Sequence, residues 1–428
     1  MRALSGWRDG ANAAISVPDC SIFSPSAGEN GRRSFGQRSS VCWIRREFWK
    51  NVDWRVGGAP DWTIHRGEAI AVVAFICSLK GAGIDRIKRI SNEMSEIHGL
   101  AVHAAGAHLL PYKYDSGELQ EDEVEVKISH CGVCHSDVHL IDNDWGISRY
   151  PFIPGHEIVG SVTAVGSAVT SLTIGERVGI GWQADSCGVC EWCRKGEEHL
   201  CAKAQPTCVG RHGGYADAVR VNWRFAIPVP EALESENAAP LLCGGITVYN
   251  PIRNHGVRPS FRVGVIGIGG LGHLGLQFAK AFGAEVTAFS TSKSKQAEAL
   301  EMGAHNFVNT RETGAMKKLG GGFDFLLSTV NADQDWMGYI NALRPKGTLC
   351  VVGVPPSPIA LQAFALVGGQ KAISGSPTGS PSDIAEMLDV AARHGVKAVT
   401  ERFAMSKANE AVAKVKKNQV RYRAVLAN

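Results

Sequence analysis

Apolar and polar residues alternate along Leu100–His108 and Glu123–Ser129. A period of two sends successive side chains to opposite faces of a strand. Between these stretches, Tyr114-Asp115-Ser116-Gly117 has turn chemistry. The same pattern, rich in β-branched residues, continues through Glu157–Val165, Leu172–Val178 and Gly214–Val221. It predicts an open, barrel-like antiparallel domain. From Arg262 the pattern changes. Short apolar runs at Arg262–Gly267, Glu285–Phe289, Phe323–Thr329, Thr348–Val354 and Ala372–Gly375 are interleaved with helical patterns. Such alternation predicts an α/β fold with a doubly wound parallel sheet. Asp383–His394 reads as a helix leading back to the first domain, which Phe403–Asn428 completes. The expected organisation is therefore a split domain, 97–244 and 383–428, with a sheet domain, 245–382, inserted in it.

Residues 1–96 look foreign to this scheme. They show no sustained helical or strand period before Gly67, although Ala69–Glu96 has room for one or two helices. The apolar run Ala69–Leu79 is eleven residues long, too short to span a bilayer and too far along the chain for a secretory signal. Asp9, Asp19 and Glu29 count against a mitochondrial transit peptide. Met94 lies just before the regular pattern begins. The expectation is that Met1–Glu93 is translated upstream sequence and that the working protein starts at Met94. The alternative is a poorly ordered extension.

The net charge of +4 changes the picture only when divided. Residues 1–96 carry 14 basic against 10 acidic side chains, and the remainder carries 31 against 31. The patterned part thus has no basic excess to suggest nucleic acid. Nothing in it points to a membrane either. The chain holds twelve cysteines, half of them in metal-ligand contexts, which fits a reducing compartment such as the cytoplasm.

Those contexts carry the candidate chemistry. In CGVCHSDVHLIDNDWGISRYPFIPGHE, Cys134 is followed 22 and 23 residues later by His156 and Glu157. Thiolate plus imidazole suits zinc. Ligands so far apart need a third from elsewhere and leave room for an open, catalytic position. The competing reading is a redox pair, since Cys131 and Cys134 are formally C-x-x-C. No thioredoxin-like strand and helix are expected around them. Cys187, Cys190, Cys193 and Cys201 have the spacing C-x2-C-x2-C-x7-C, which suits a closed four-cysteine zinc site better than strained short disulfide loops.

A second constellation lies at the first strand of the inserted domain. Gly267-Ile268-Gly269-Gly270-Leu271-Gly272 joins that strand to a helix, and a second strand follows. In that setting G-x-G-x-x-G binds a dinucleotide. Gly267 permits the turn, Gly269 lets the backbone approach the pyrophosphate, and Gly272 allows close packing. An NAD site needs a carboxylate at the end of the second strand. Here Ser290, Thr291, Ser292 and then Lys295 occupy that end, and no acid lies between Glu285 and Glu298. Hydroxyls and an ammonium suit the 2′-phosphate of NADP(H), with an ordinary polar turn as the bland alternative.

GHEIVGSVTAVGSAV, through Gly160, Gly166 and Val169, resembles the signature of zinc-containing medium-chain alcohol dehydrogenases. CHSDVH resembles the catalytic cysteine segment of the same family. The likeness runs from about Ile97 to the C-terminus and is strongest to the cinnamyl alcohol dehydrogenase-like, NADP-dependent branch. It implies a GroES-like catalytic domain with an inserted Rossmann domain, usually in a homodimer or homotetramer.

The resemblance also implies roles. Cys243 becomes the remaining ligand of a catalytic zinc held by Cys134 and His156. Glu157 tunes or transiently ligates that zinc. Asp137 orients His156, while Ser136 and His139 relay a proton. Thr247, Val352 and Val354 lie at the nicotinamide, and Arg423 binds the pyrophosphate. Trp145 and Trp182 fall near the substrate cleft, with simple packing as their alternative. The expected activity is zinc- and NADP(H)-dependent interconversion of primary alcohols and aldehydes. A polyol or secondary-alcohol dehydrogenase is the runner-up, and a non-catalytic zinc-stabilised binding protein is the reading from another class.

Overall fold

A computed structural model describes residues 96–428. The expectations for Met1–Ser95, including the start at Met94 and the helices after Ala69, lie outside the described residues. Glu96 itself belongs to a strand.

The predicted strand Leu100–His108 is two elements. β1 (Glu96–Ala101) and β2 (Leu110–Asp115) form a two-stranded antiparallel sheet. The chain turns back between them at Gly106, whose φ is +70°. The main antiparallel strands follow: β3 (Glu123–Val133), β4 (Ile158–Val165), β5 (Arg177–Ile180), a short pair β6 (Gln183–Asp185) and β7 (Gln205–Pro206), β8 (Ala218–Asn222) and β9 (Ile227–Pro228). Leu172–Val178 becomes a strand only from Arg177. Before that, Glu176 accepts hydrogen bonds from Thr173 and closes a turn. The stretch Gly214–Val221 becomes regular only at Ala218, because the backbone N–H of Gly214 is committed to Gly155.

The inserted sheet contains β10 (Arg262–Ile266), β11 (Glu285–Ser290), β12 (Asn306–Asn309), β13 (Phe323–Ser328), β14 (Leu343–Val351) and β15 (Ala372–Gly375). They run in the order β12-β11-β10-β13-β14-β15, and every pair is parallel. The order reverses direction beside β10, so a crevice opens at the C-terminal ends of β10 and β13. One face of this sheet is covered by helices Gly244–Asn254, Gly272–Ala281 and Pro381–His394, and the other by helix Trp336–Ala342.

β16 (Thr400–Ala404) and β17 (Arg423–Ala427) return to the first sheet, whose order is β16-β17-β3-β4-β5-β9 with β8 beside β3. One pair here is parallel, against the all-antiparallel expectation: β16 with β17. The reason is the crossover helix Ala408–Lys416, which brings the chain back in the same direction. Thus the last strand pairs with β3, about three hundred residues earlier, and ties the C-terminus to the strand that leads into Cys134. Among the described residues, no helix is long and apolar enough to cross a membrane.

His273, the second residue of helix Gly272–Ala281, is a buried anchor between the inserted sheet and the returning chain. Its Nδ1 lies 3.0 Å from the Gly269 carbonyl, and its Nε2 accepts the Val399 N–H at 3.3 Å. The ring stacks on Tyr422 at 4.9 Å. Burial pushes its pKa down from 6.5 to about 3. Between those values the unfolded chain binds a proton that the folded chain refuses. Stability is therefore complete above pH 6.5 and falls as the pH drops towards 3. From pH 6.5 to 5 this linkage is worth about 2 kcal/mol. Thermal unfolding should fall off more steeply over that interval in the wild type than in His273→Gln, whatever the variant's baseline. Parallel pH profiles would show that His273 is not the group responsible.

Candidate active site

β3 ends at Val133 and helix His135–Asp142 begins two residues later, so Cys134 stands at the helix N-cap. Asp137, one turn in, accepts the Cys134 N–H at 2.9 Å with Oδ2 and caps the helix. Its other oxygen accepts the Gly155 N–H at 3.0 Å and lies 2.9 Å from His156 Nδ1. Asp137 is fully buried. One carboxylate thus fixes a cysteine and a histidine from distant segments. Asp137 thus completes the helix cap with one oxygen and contacts His156 with the other.

Cys134, His156, Glu157 and Cys243 come together with one ligand atom from each within 4.8 Å of all the others. The Cys134 and Cys243 sulfurs are 4.0 Å apart. His156 Nε2 and Glu157 Oε2 are buried without a hydrogen-bond partner. A buried imidazole nitrogen without a partner, facing two thiols, fits a zinc ion better than an empty pocket, because such orphaned groups are costly. Cys243's hydrogen bond draws the Cys134 thiol well below its ordinary pKa, so a thiolate is favoured there.

Glu157 is also held from the other side. Its Oε1 pairs with the Arg423 guanidinium, and both groups are buried. Burial raises the Glu157 carboxyl to about 7, against the pull of Arg423. Room for this carboxylate comes from Gly132, where a Cβ would sit 1.9 Å from Glu157 Oε2.

The C-x-x-C context needs a correction. A strand does precede Cys134 and a helix does follow it, contrary to expectation. Cys131 nevertheless lies three residues back within β3, its sulfur 2.8 Å from where Cβ atoms of Gly155 and Gly214 would be. It is fully buried, and burial pushes its thiol well above the usual range. Only Cys134 faces Cys243.

The second cluster joins Cys187, Cys190, Cys193 and Cys201. Their sulfurs approach at 3.9 Å (187–193), 3.5 Å (190–193) and 3.5 Å (187–201). The edge of a tetrahedron with Zn–S bonds of 2.3 Å is about 3.8 Å, so the donor set fits a closed zinc site. Backbone N–H groups of Val189 and Cys190 pull the Cys187 thiol down to about 6.

A cleft of about 900 Å³ extends from the first cluster to the inserted sheet. Cys134, Ser136, His139, Trp145, Trp182, Cys243 and Thr247 line its catalytic end. Ser136 Oγ is 3.7 Å from Cys134 Sγ, and His139 Nδ1 is 2.7 Å from Asp144 Oδ2. The Asp144 contact orients His139 and was not foreseen. Trp182 meets His156 edge to face at 5.0 Å, and Trp145 meets Trp182 at 6.2 Å. These rings form an aromatic wall.

The glycine-rich turn lines the far end, through Gly267, Gly269, Gly270 and Leu271. Gly272 packs so closely that a Cβ would lie 1.8 Å from the Gly267 carbonyl, whereas a Cβ on Gly269 would meet nothing within 4 Å. The open space above Gly269 lies at the N-terminus of helix Gly272–Ala281, where free N–H groups favour an anion. Arg423 Nη1 lies 3.2 Å from the Cβ position of Gly270, so this arginine reaches from Glu157 to the phosphate loop. Val352 and Val354 also line the cleft.

At the end of β11, Ser290, Thr291 and Lys295 line the cleft, and Ser292 does not. The Ser292 hydroxyl pairs with Ser294 at 2.8 Å, and its N–H donates to Ser290 Oγ at 3.1 Å. Ser290 therefore has its acceptor occupied and its O–H proton available. The expected contact from Ser292 is replaced by this local turn. Sequence reasoning also passed over His135, His199, Arg421 and Tyr422, all of which line the cleft, and Cys208, which groups with Asp137 and His156. Arg421 and Tyr422 adjoin Arg423 in VRYRAVL, so the signal for them in the sequence was their position beside that arginine.

Comparisons with known proteins agree with this architecture. The profile of the alcohol dehydrogenase GroES-like domain matches residues 120–231, and that of the zinc-binding dehydrogenase matches residues 270–393. Aldehyde reductase AdhA of Synechocystis sp. is 45% identical over 332 residues, covering 78% of this chain and 99% of that protein. A cinnamyl alcohol dehydrogenase structure from Sorghum bicolor superposes with a TM-score of 0.75 at 40% identity, covering 78% of this chain and 97% of that one. A cinnamyl alcohol dehydrogenase from Helicobacter pylori, solved with NADP(H), gives 0.72 at 31% identity, covering 78% and 98%.

The two clusters predict separable losses. Cys134→Ser should abolish turnover and lower bound zinc from two to one per chain, with little change in thermal stability. Cys190→Ser should lower the unfolding temperature markedly, because a structural zinc contributes folding energy directly. Elemental analysis with thermal unfolding checks both. Equal loss of stability in the two variants would contradict this division.

Proposed function

The chain belongs to the zinc-containing medium-chain alcohol dehydrogenase family, in its cinnamyl alcohol dehydrogenase-like branch, and from that premise we propose that it interconverts primary alcohols and aldehydes with NADP(H). The carrying observation is a single cleft that has a metal-competent Cys134–His156–Cys243 cluster at one end and a glycine-rich phosphate loop at the other.

Bound zinc supplies a Lewis acid for the carbonyl oxygen, and the nicotinamide supplies or accepts hydride. The chain's own residues do the rest. Cys134, Cys243 and His156 would hold the metal, and Asp137 keeps the His156 proton on Nδ1, which leaves Nε2 free to act as a ligand. Ser136 stands beside Cys134, where it can exchange a proton with a substrate hydroxyl. His139, turned by Asp144 near the cleft's rim, passes that proton towards solvent. Trp145 and Trp182, set edge to face, offer an aromatic corner, which suits substrates with an apolar or aromatic body. Gly269, Gly270 and Arg423 receive the pyrophosphate, with Thr247, Val352 and Val354 towards the nicotinamide. The closed four-cysteine cluster holds the second zinc and braces its lobe. All donors of the catalytic cluster are retained, which disfavours a binding protein without activity.

The same reading takes 97–244 and 383–428 as one catalytic domain around a cofactor domain, 245–382. It places the chain in a reducing compartment, the cytoplasm, because both clusters need free thiols, and the described cysteines are free. It also takes the active form as a homodimer or homotetramer. Support comes from exposed Ile373 on the edge strand β15 and from exposed Phe364 and Val367 on the short helix Ala363–Val367 that precedes it.

Cofactor choice gives the test. Ser290 ends β11 with a proton to donate, and a carboxylate at that place would repel the 2′-phosphate. Each hydrogen bond to a charged phosphate is worth roughly 1.5–3 kcal/mol, about ten- to hundredfold in affinity. The wild type should therefore prefer NADP(H) over NAD(H) in kcat/KM for aldehyde reduction, and Ser290→Asp should erase or invert the preference through KM. A wild-type preference for NAD(H) would overturn the cofactor assignment and leave the zinc assignment standing.

A further inference from the structure

Past the end of β11, with Lys295 standing beside them, two side chains from a distant part of the chain converge on Glu298. The Arg421 guanidinium pairs with one of its oxygens, and the Tyr422 hydroxyl donates to the other. Lys295 stands over the Tyr422 ring, its ammonium 5.7 Å from the centroid, and donates to the Ile268 carbonyl at 2.5 Å. The Arg421 guanidinium is also 5.7 Å from that ring. Lys295, Arg421 and Tyr422 all line the same cleft as Ser290 and Thr291. Lys295 belongs to the inserted domain, whereas Arg421 lies two residues before β17 of the other.

The charges here do not balance. Glu298 pairs with Arg421, and the Lys295 ammonium beside them contacts the Ile268 carbonyl and the Tyr422 ring. Burial lowers the Lys295 pKa, and the positive field of Arg421 lowers it further. Such a pair gains from a dianion placed between its members. An anion at the end of β11 would meet the Ser290 hydroxyl and Lys295 on one side and Arg421 on the other. Glu298 and Tyr422 hold the arginine in place, so its planar fork is pre-organised for phosphate oxygens.

We propose that Arg421 is a specificity-determining residue for the cofactor's 2′-phosphate, supplied across the cleft by the segment that leads into β17, with Glu298 as its positioning residue. This rests on the NADP(H) reading above. It makes the 2′-phosphate a bridge between the two domains rather than a ligand of the second strand alone. The alternative is a half-exposed surface ion pair that braces Tyr422 and touches no ligand.

Calorimetry on the zinc-loaded full chain separates the two, with adenosine 2′,5′-bisphosphate and 5′-AMP as probes. Arg421→Gln should weaken the bisphosphate about tenfold and 5′-AMP less than about twofold, and it should flatten the salt dependence of bisphosphate binding. Arg421→Lys, which keeps the charge and loses the fork, should fall between. Equal weakening of both probes by Arg421→Gln would make Arg421 a structural brace, and unchanged binding of both would remove it from the site. Should the Gln variant not fold, the Lys variant decides alone, since selective weakening of the bisphosphate is expected from it and equal weakening overturns the proposal. If the wild type fails to distinguish the probes, the NADP(H) reading itself falls. If it distinguishes them and Lys295→Ala abolishes the distinction while Arg421→Gln does not, only this inference falls.

Discussion

The carboxylate of Asp137 is the constraint on which the catalytic site depends. It is fully buried and has donors on both oxygens: the Cys134 N–H, the Gly155 N–H and His156 Nδ1. A buried carboxylate is tolerated only when so surrounded, and removing a donor leaves an uncompensated charge. The contact therefore acts in two directions. It starts the helix after β3 with Cys134 at its cap, and it holds the loop before β4 with His156 turned towards the same point. Cys243 arrives separately, where the chain enters helix Gly244–Asn254, and completes the cluster.

Glu157 and Arg423 extend that arrangement to the cofactor loop. Their ion pair is buried, so neither group tolerates loss of the other. Arg423 opens β17, and β17 pairs with β3, so the strand that carries Cys134 and the strand that carries the arginine move as one sheet. The guanidinium then reaches Gly270. The Arg423 guanidinium therefore links the glycine-rich turn to Glu157, beside the cysteine–histidine cluster. Tyr422, next in line, stacks on His273 at the start of the phosphate-loop helix and bonds Glu298. Three consecutive residues, Arg421, Tyr422 and Arg423, therefore connect the two sheets along the cleft.

Where sequence patterning went astray, a local turn had interrupted an apparent alternation of residue types. Leu100–His108 keeps alternating across the bend at Gly106, so its period conceals the break between β1 and β2. The stretch Leu172–Val178 reads as a strand, yet Glu176 satisfies the Thr173 N–H and hydroxyl and turns the chain first. Ser292 looks identical to Ser290 as a phosphate donor. Only the turn after β11 shows that it bonds its neighbours instead.

The alternation of strands and helices in the inserted sheet, the glycine-rich turn, the four-cysteine cluster and the missing acid after β11 were legible in the sequence, whereas the order of the strands was not. Each depends on residues close together along the chain, where spacing fixes geometry. Cys243, Glu157–Arg423 and the Arg421–Glu298–Lys295 group were not legible from residues alone. Cys243 and Arg423 were reached only through resemblance, and the Arg421 group was missed. Their partners lie over a hundred residues apart, and no local period encodes such a meeting. Only the packing of β17 against β3, and of the returning chain against the inserted sheet, decides which charges share a cleft. That is where the two domains cease to be separate patterns and become one site.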